Sequence, residues 1–230
     1  MSSGRPLRQD TRSARTRRAD NPQEALVELS VTQFITLDGV YQAPGGPQED
    51  SSDGFTHGGW SAPYDDDAFG EFMVSVFEKV DAFIFGRKTY EIFNSYWPEH
   101  NDPANPIAGK LNSLPKYVPT ATLDTAEWPG TELLHGDLVK EVTELKSRPG
   151  RELQVHGSGE LAQSLLANGL VDTLHVLTFP VILGSGKRFF VDGAEPAGLA
   201  LTQTHGTSTG VVISSYRKVG PPTYGNFEAE

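Results

Sequence analysis

The chain has 230 residues, a formal net charge of −11 at pH 7, an apolar fraction of 37% and no cysteine. That excludes a disulfide framework, a thiol nucleophile and a thiolate metal site, and no apolar run is long enough to span a membrane. The charge is uneven: residues 1–24 hold six arginines against three acids, +3 in all, which leaves −14 for the rest. An acidic body argues against a nucleic-acid surface, so an anionic cofactor would need a locally basic site.

Residues 1–24 have almost no apolar content and no periodicity, and read as a disordered arginine-rich arm. No apolar stretch follows the arginines, so the arm does not read as a secretory signal; the protein is expected in the cytoplasm. Leu26 to Ile35 alternates and is rich in β-branched residues, a first strand that ends in Thr36-Leu37-Asp38-Gly39-Val40. Residues 42–63 form a long loop with Trp60 near its end, and loops of this length in a compact domain are usually functional or mobile. Asp65 to Lys79 is a helix, with acids at its positive end and Phe69, Phe72, Met73, Val76 and Phe77 on one side.

Ala82-Phe83-Ile84-Phe85 is wholly apolar, as in a parallel strand covered on both faces. It runs into Gly86-Arg87-Lys88-Thr89 and a helix to about Asn94, followed by Tyr96 and Trp97. A loop over 99–114 contains a short helix near 107–111. Lys116-Tyr117-Val118 and Thr131 to Leu134 are short strands, and Asp137 to Ser147 is an amphipathic helix. Leu153 to His156 is a buried strand, and Gly157-Ser158-Gly159-Glu160 turns it into a helix through about Ala167. Thr173 to Val181 is another buried strand, with Gly184 to Lys187 close behind it. Leu199–His205 and Val211–Lys218 form a closing hairpin. Strands alternating with helices, then a hairpin, define an α/β chain with a mixed sheet. Residues 220–230 read as a tail.

Two strand–glycine–helix junctions stand out. A helix start carries unpaired N–H groups and partial positive charge, which suits phosphate. Ser158 is expected to cap its helix. At the other junction Arg87, Lys88 and the Thr89 hydroxyl add donors. Two such junctions in one sheet could hold the two halves of a dinucleotide. Gly157, Gly159 and Ala162 fit GxGxxA, but a Rossmann fingerprint belongs to the first βαβ unit. Gly184 to Lys187 lacks the GK[ST] element of a Walker loop, so Lys187 is read as a site cation. The six histidines show no metal-ligand spacing. Tyr41, Trp60, Tyr96 and Trp97 lie near strand ends and could stack on a flat heterocycle. Asp38 either orients substrate or caps the turn at Gly39.

The order of these motifs resembles the dihydrofolate reductase-like superfamily. Within it, the chain is most similar to the bacterial family of the C-terminal reductase domain of the riboflavin-biosynthesis deaminase/reductase, across about residues 25–219. The resemblance implies a three-layer fold: a mixed, mostly parallel sheet, helices on both faces and a C-terminal antiparallel hairpin. It implies NADPH as cofactor, a small heterocyclic substrate and a homodimer. Gly86, Arg87, Lys88 and Thr89 match the segment at the 2′-phosphate and pyrophosphate. Gly157, Ser158, Gly159 and Glu160 match the loop that cradles the pyrophosphate. Asp38 and Gly39 match the loop beside the nicotinamide, and Gly39, Val40 and Tyr41 are expected in the substrate pocket.

Two departures matter. Relatives often carry a Ser-Arg-Thr-like run where this chain has Thr120-Ala121-Thr122, so Thr120 keeps a cofactor contact while Arg87 and Lys88 must supply any preference for NADPH. The acid that dihydrofolate reductases place on their first helix would fall near Gly70, so folate reduction is not supported. The deaminase half of the riboflavin enzyme is absent from the sequence. The expected activity is an NADPH-dependent reductase of a small heterocycle; the alternative is a non-catalytic nucleotide-binding module of the same fold.

Overall fold

In the computed structural model, residues 26–102 and 104–227 are described; the arginine-rich arm (1–24) lies outside them. The chain order is β1 (Glu28–Thr36), α1 (Asp67–Glu78), β2 (Val80–Ile84), α2 (Arg87–Tyr96), α3 (Pro106–Ser113), β3 (Lys116–Pro119), β4 (Thr131–Leu134), α4 (Leu138–Lys146), β5 (Glu152–His156), α5 (Gly159–Ala167), β6 (Thr173–Phe179), β7 (Gly198–Gly206) and β8 (Val212–Gly220). The strands form one sheet in the order β4-β3-β2-β5-β1-β6-β8-β7. All neighbours are parallel up to β6; β8 and β7 are antiparallel. This is the dihydrofolate reductase-like arrangement expected from the sequence.

Each face of the sheet has its own core. Phe72, Val76 and Phe77 of α1, Tyr90 of α2 and Leu111 of α3 pack on Phe83, Phe85 and Val118. On the other face, Val142 and Leu145 of α4 and Leu161 and Leu165 of α5 cover Leu29, Val31, Leu153 and Val155. Both faces are covered, which is why the central strands read as continuous apolar runs.

Helix boundaries follow side-chain caps. α1 starts at Asp67, later than the acidic run suggests, because the Asp66 carboxylate accepts from the Phe69 N–H at 2.9 Å. Asn105 and Asp137 cap α3 and α4 in the same way. Ser158 does not cap α5. It sits in the left-handed region (φ 52°) and makes no side-chain bond to the helix. β6 stops at Phe179, two residues early, because Pro180 cannot extend the ladder.

A polar row crosses the sheet beneath α1. Thr32 lies in register with His156 on β5 and His175 on β6. The His156 ring packs on Phe77 and the His175 ring on Phe72. Burial, and then the charge of His175, push His156 down to about 3; burial, and then Lys79, push His175 down to about 4. Both rings fold neutral. Gln154 fixes the tautomer of one. Its amide N–H groups donate to the Val76 carbonyl (2.7 Å) and Glu152 Oε2 (2.8 Å), so its Oε1 must accept from His156 Nε2 at 3.0 Å. That leaves His156 Nδ1 with a lone pair.

The unfolded chain binds more protons than the folded one wherever these rings stay neutral below the usual histidine value, so stability is full above pH 6.5 and falls with acidification. Between pH 6.5 and 4.5 the loss should be roughly 2 kcal/mol per ring. Urea unfolding across that window measures it, and a flat profile would show that both rings accept protons in the folded state.

Candidate active site

β2 and β5 are adjacent and parallel, so their C-terminal ends place Gly86 and the Gly157-Ser158-Gly159 turn side by side. The Gly86 N–H donates to Ser158 Oγ at 3.0 Å. The Gly157 N–H donates to the Thr32 carbonyl at 3.1 Å, which fixes the same turn to β1. Gly157 and Ser158 are both left-handed, at φ 59° and 52°. That pair reverses the chain from strand to helix, and the bond to Gly86 holds the serine in a conformation that costs it about 1–2 kcal/mol. Neither α2 nor α5 has a side-chain cap on its first turn. Two helix starts with free N–H groups therefore face one space.

That space is a cavity of about 950 Å³. Its mouth is lined by Tyr41, Gly86, Arg87, Lys88, Thr89, Gly157, Ser158, Gly159, Glu160 and Lys187, with Trp97 further along the wall. Tyr41 lies against the glycine loop: a Cβ on Gly159 would sit 2.3 Å from its ring. Gly159 itself has ordinary φ, so it is glycine because of this close approach. Burial, and then the charges of Glu160 and Asp50, raise the Tyr41 hydroxyl to about 12, so at neutral pH it keeps its proton.

The long loop reaches across the mouth through Asp50. Its carboxylate accepts from Lys88 Nζ (2.8 Å), Lys187 Nζ (3.0 Å) and Ser52 Oγ (2.6 Å). Burial alone would raise this carboxyl; the bonds from Lys88, Ser52 and Lys187 hold it well below the usual carboxylate range. Lys88 is raised in turn, chiefly by Asp50. Among the described residues Arg87 bonds only Glu91, at 2.7 Å, with both side chains about half exposed, and such a pair holds an arginine weakly. Glu49 also lines the cavity. Burial raises it, against two N–H bonds from Gly45 and Gly46.

Beyond the mouth the cavity runs between the sheet and α1. Phe69, Gly70, Met73 and Phe77 line it from one helical face, opposite Phe34, Thr32 and His156. A Cβ on Gly70 would meet nothing within 4 Å. Where the resemblance puts an acid, this chain has open space.

Several expected site residues lie elsewhere. Asp38 is not in the cavity lining. Its oxygens accept from Thr36 Oγ1 (2.6 Å) and the N–H groups of Leu183 (3.2 Å) and Gly184 (2.9 Å), and it pairs with Arg188. Burial opposes ionisation, but the Thr36, Gly184 and Leu183 bonds hold it at about 2. This carboxylate ties two loops together. Gly39 (φ 82°) belongs to the same turn. Val40 is fully buried in the core. Trp60 is buried too, and its indole N–H donates to the Gln42 carbonyl at 2.7 Å. Tyr96 stacks on His100 at 3.8 Å, on an outer depression. Thr120 Oγ1 accepts from the Thr122 and Leu123 N–H groups, and its neighbour Pro119 lines the cavity instead. Sequence reasoning missed Thr32, Gln33, Glu49, Asp50 and Gly70 as lining residues. The long acidic loop was the signal for Glu49 and Asp50. Among the described residues no group of three or more His, Asp or Glu could hold a metal.

The sheet order, the hairpin and the paired junctions define a reductase-type, dihydrofolate reductase-like fold. The family model of the RibD C-terminal domain matches residues 28–213, and the chain belongs to that family. The uncharacterised protein YyaP of Bacillus subtilis (strain 168) is 27% identical over 184 residues, 79% of this chain and 90% of its own length. A putative riboflavin biosynthesis protein from Shewanella sp. PV-4 superposes with a TM-score of 0.61 at 20% identity, covering 84% of this chain and 99% of that one. A deaminase/5-amino-6-(5-phosphoribosylamino)uracil reductase from Thermotoga maritima gives 0.56 at 14% identity; the match covers 84% of this chain but 57% of that longer one. Dihydrofolate reductase from Enterococcus faecalis, complexed with NADP(H), gives 0.55 at 13% identity, covering 84% and 96%. At these identities the structures share the fold.

The contact between Tyr41 and Gly159 should be measurable as a coupling. Gly159→Ala alone should cost about 1–3 kcal/mol, the usual penalty for forcing a methyl into a filled space. In a Tyr41→Ala background the same change should cost much less, a coupling of about 0.5–3 kcal/mol. Urea denaturation of the four proteins tests this, and additive costs would show that the ring swings aside freely.

Proposed function

We propose that the protein is an NADPH-dependent oxidoreductase that reduces a small, flat, carbonyl- or imine-bearing heterocycle. The observation that carries the reading is the bond between Gly86 N–H and Ser158 Oγ, which holds two uncapped helix starts at one cavity mouth. A cofactor with two linked phosphates fits that arrangement, because each start offers free N–H groups and partial positive charge. The bound nicotinamide supplies the hydride. The chain's own residues bind and orient: α2 and α5 take the pyrophosphate, Arg87 takes a 2′-phosphate, and α1 with the long loop shields the reacting ring from water. Neutral Tyr41 lies at the mouth as a hydrogen-bond donor.

The same reading keeps the substrate class broad. The uracil ring of the aminouracil named for the Thermotoga maritima relative is one heterocycle of the right kind; the phosphoribosyl group in that name is not part of this reading. A cytoplasmic location fits this chemistry, and no described helix is long and apolar enough to cross a membrane. We also propose a homodimer of this chain, supported by exposed Leu199 and Leu201 on the outermost strand, β7. Sedimentation of Leu201→Lys against the parent protein tests it; an unchanged dimer would move the interface elsewhere.

Cofactor choice tests the function. Lys88 is already held by Asp50, so Arg87 is the cation free to turn toward a 2′-phosphate. NADPH should bind more tightly than NADH, and Arg87→Ala should remove most of that difference while leaving NADH nearly unchanged. A charge-assisted contact of this kind is worth about 1.5–3 kcal/mol, roughly ten- to a hundredfold in affinity. Equal losses for both cofactors would assign Arg87 to the pyrophosphate or the fold. Binding of NADPH without its consumption across a panel of heterocyclic carbonyl compounds would favour the non-catalytic module.

A further inference from the structure

We infer that the inner chamber accepts an uncharged, flat, largely apolar molecule with one hydrogen-bonding group, and not a phosphate-bearing one. The inference rests on the reductase reading for where the cofactor lies. It names the substrate class of the same site.

The chamber wall carries the first part of the argument. Phe34, Phe69, Met73 and Trp97 surround the space, and Gly70 opens it. A glycine inside a helix costs about 1 kcal/mol relative to alanine. At Gly70 no neighbour within 4 Å excludes a side chain. The missing side chain gives room rather than backbone freedom.

The floor supplies the polar group. Thr32 is 2% exposed, lines the cavity, and its Oγ1 has no hydrogen-bond partner among the described residues. A buried hydroxyl left unpaired is costly. Its register with His156 and His175 sets it on the α1 face of the sheet, the face of the chamber. Phe34, two residues on, shares that face and packs on Phe69. A ligand lying between Phe34 and α1 therefore meets a hydroxyl that can donate or accept.

Charge excludes the phosphate. The lining holds Arg87, Lys88 and Lys187 against Glu49, Asp50, Asp65 and Glu160. Lys88 and Lys187 are both tied to Asp50, which offsets one of their two charges. The helix starts flanking the chamber are already satisfied: Asp66 caps α1 and Asn105 caps α3. The uncapped starts, α2 and α5, belong to the cofactor. With Arg87 and those starts given to the cofactor, a phosphate carried into the chamber would lose its hydration and find acids, with no other free cation or helix start among the described residues to replace it.

A matched pair of probes tests this. 2-Naphthol is flat, uncharged at pH 7 and carries one hydroxyl; 2-naphthyl phosphate adds the dianion. Calorimetric titration in phosphate buffer keeps the open helix starts supplied with anion. 2-Naphthol should bind, and 2-naphthyl phosphate at least about tenfold more weakly. Thr32→Val should weaken 2-naphthol about two- to tenfold and leave the protein at least as heat-stable, since it removes an unpaired buried hydroxyl. Gly70→Leu should abolish 2-naphthol binding while raising Tm by about 2–4 °C, as expected for replacing a helical glycine. Neither variant loses binding by unfolding. Tighter or equal binding of the phosphate, binding of neither probe, or unchanged 2-naphthol affinity in both variants would overturn the inference. A separate NADPH titration keeps the two claims apart. If NADPH binds and the phosphate probe is preferred, the chamber inference falls and the reductase reading stands. If 2-naphthol behaves as expected and NADPH fails to bind, the reverse holds.

Discussion

The site depends on one hydrogen bond between two backbone turns. Parallel pairing of β2 and β5 brings the ends of two strands together, but pairing alone leaves their following turns free to diverge. Ser158 closes the gap by accepting from the Gly86 N–H at 3.0 Å. To reach it the serine adopts a left-handed conformation, which an L-residue avoids at a cost of about 1–2 kcal/mol. The same side chain therefore cannot cap its own helix. α5 begins with its N–H groups open because Ser158 is committed to β2's turn, and the start of α2 faces the same space. The strain, the missing cap and the anion-binding geometry are consequences of one contact.

The loop over the mouth is organised by charge. Asp50 stands where four donors converge, two of them from Ser52, and its single charge is shared by Lys88 and Lys187 while it holds residues of the long loop against α2. A partly buried carboxylate with two ammonium partners resists protonation, so the clamp persists across the ordinary pH range. The cost is that neither lysine is left free for an incoming anion. Arg87, half exposed and bonded among the described residues only to a neighbouring glutamate, is the least committed cation of the lining. On the proposed reading an acidic protein would hold an anionic cofactor this way, with fixed helix starts supplying most of the positive potential and one half-exposed side chain the rest.

What the sequence made legible follows from the range of the forces involved. Apolar runs such as Phe83–Phe85 and the period of α1 are local, and the elements appeared where those patterns put them, with β4 at residues 131–134 as expected. The acidic run placed the start of α1 only to within two residues, since Asp65, Asp66 and Asp67 share the chemistry and three-dimensional packing selects Asp66 as the cap. The glycine junctions were visible because glycine marks a turn. Ser158 was misread because serine before a helix is ordinarily a cap, and its actual partner is 72 residues away. Asp38 looked available because two of its donors, the Leu183 and Gly184 N–H groups, lie about 145 residues further along the chain. The chamber was hidden for a different reason. Phe69, Met73 and Phe77 form an apolar stripe that is the same whether a helix covers a core or roofs a cavity, and the one residue that distinguishes them, Gly70, carries no side chain to notice.

The neutral floor of that chamber is itself built from polar residues. Gln154 is oriented by two acceptors, Val76 and Glu152, and passes that orientation to His156 through its one remaining oxygen. On the far side of Thr32, His175 is held by Ser215 at 2.7 Å. Each ring is buried against a phenylalanine of α1, where a charge would find no counterion. The row can therefore stay uncharged only because every ring has a hydrogen-bond partner within the sheet, and Thr32, between them, is the member whose hydroxyl is not spent. A chamber lined this way discriminates by desolvation: it admits groups that need one partner and rejects those that need many. The polar row thus shapes specificity from beneath the site, and the same burial that keeps its histidines neutral makes the fold sensitive to acid.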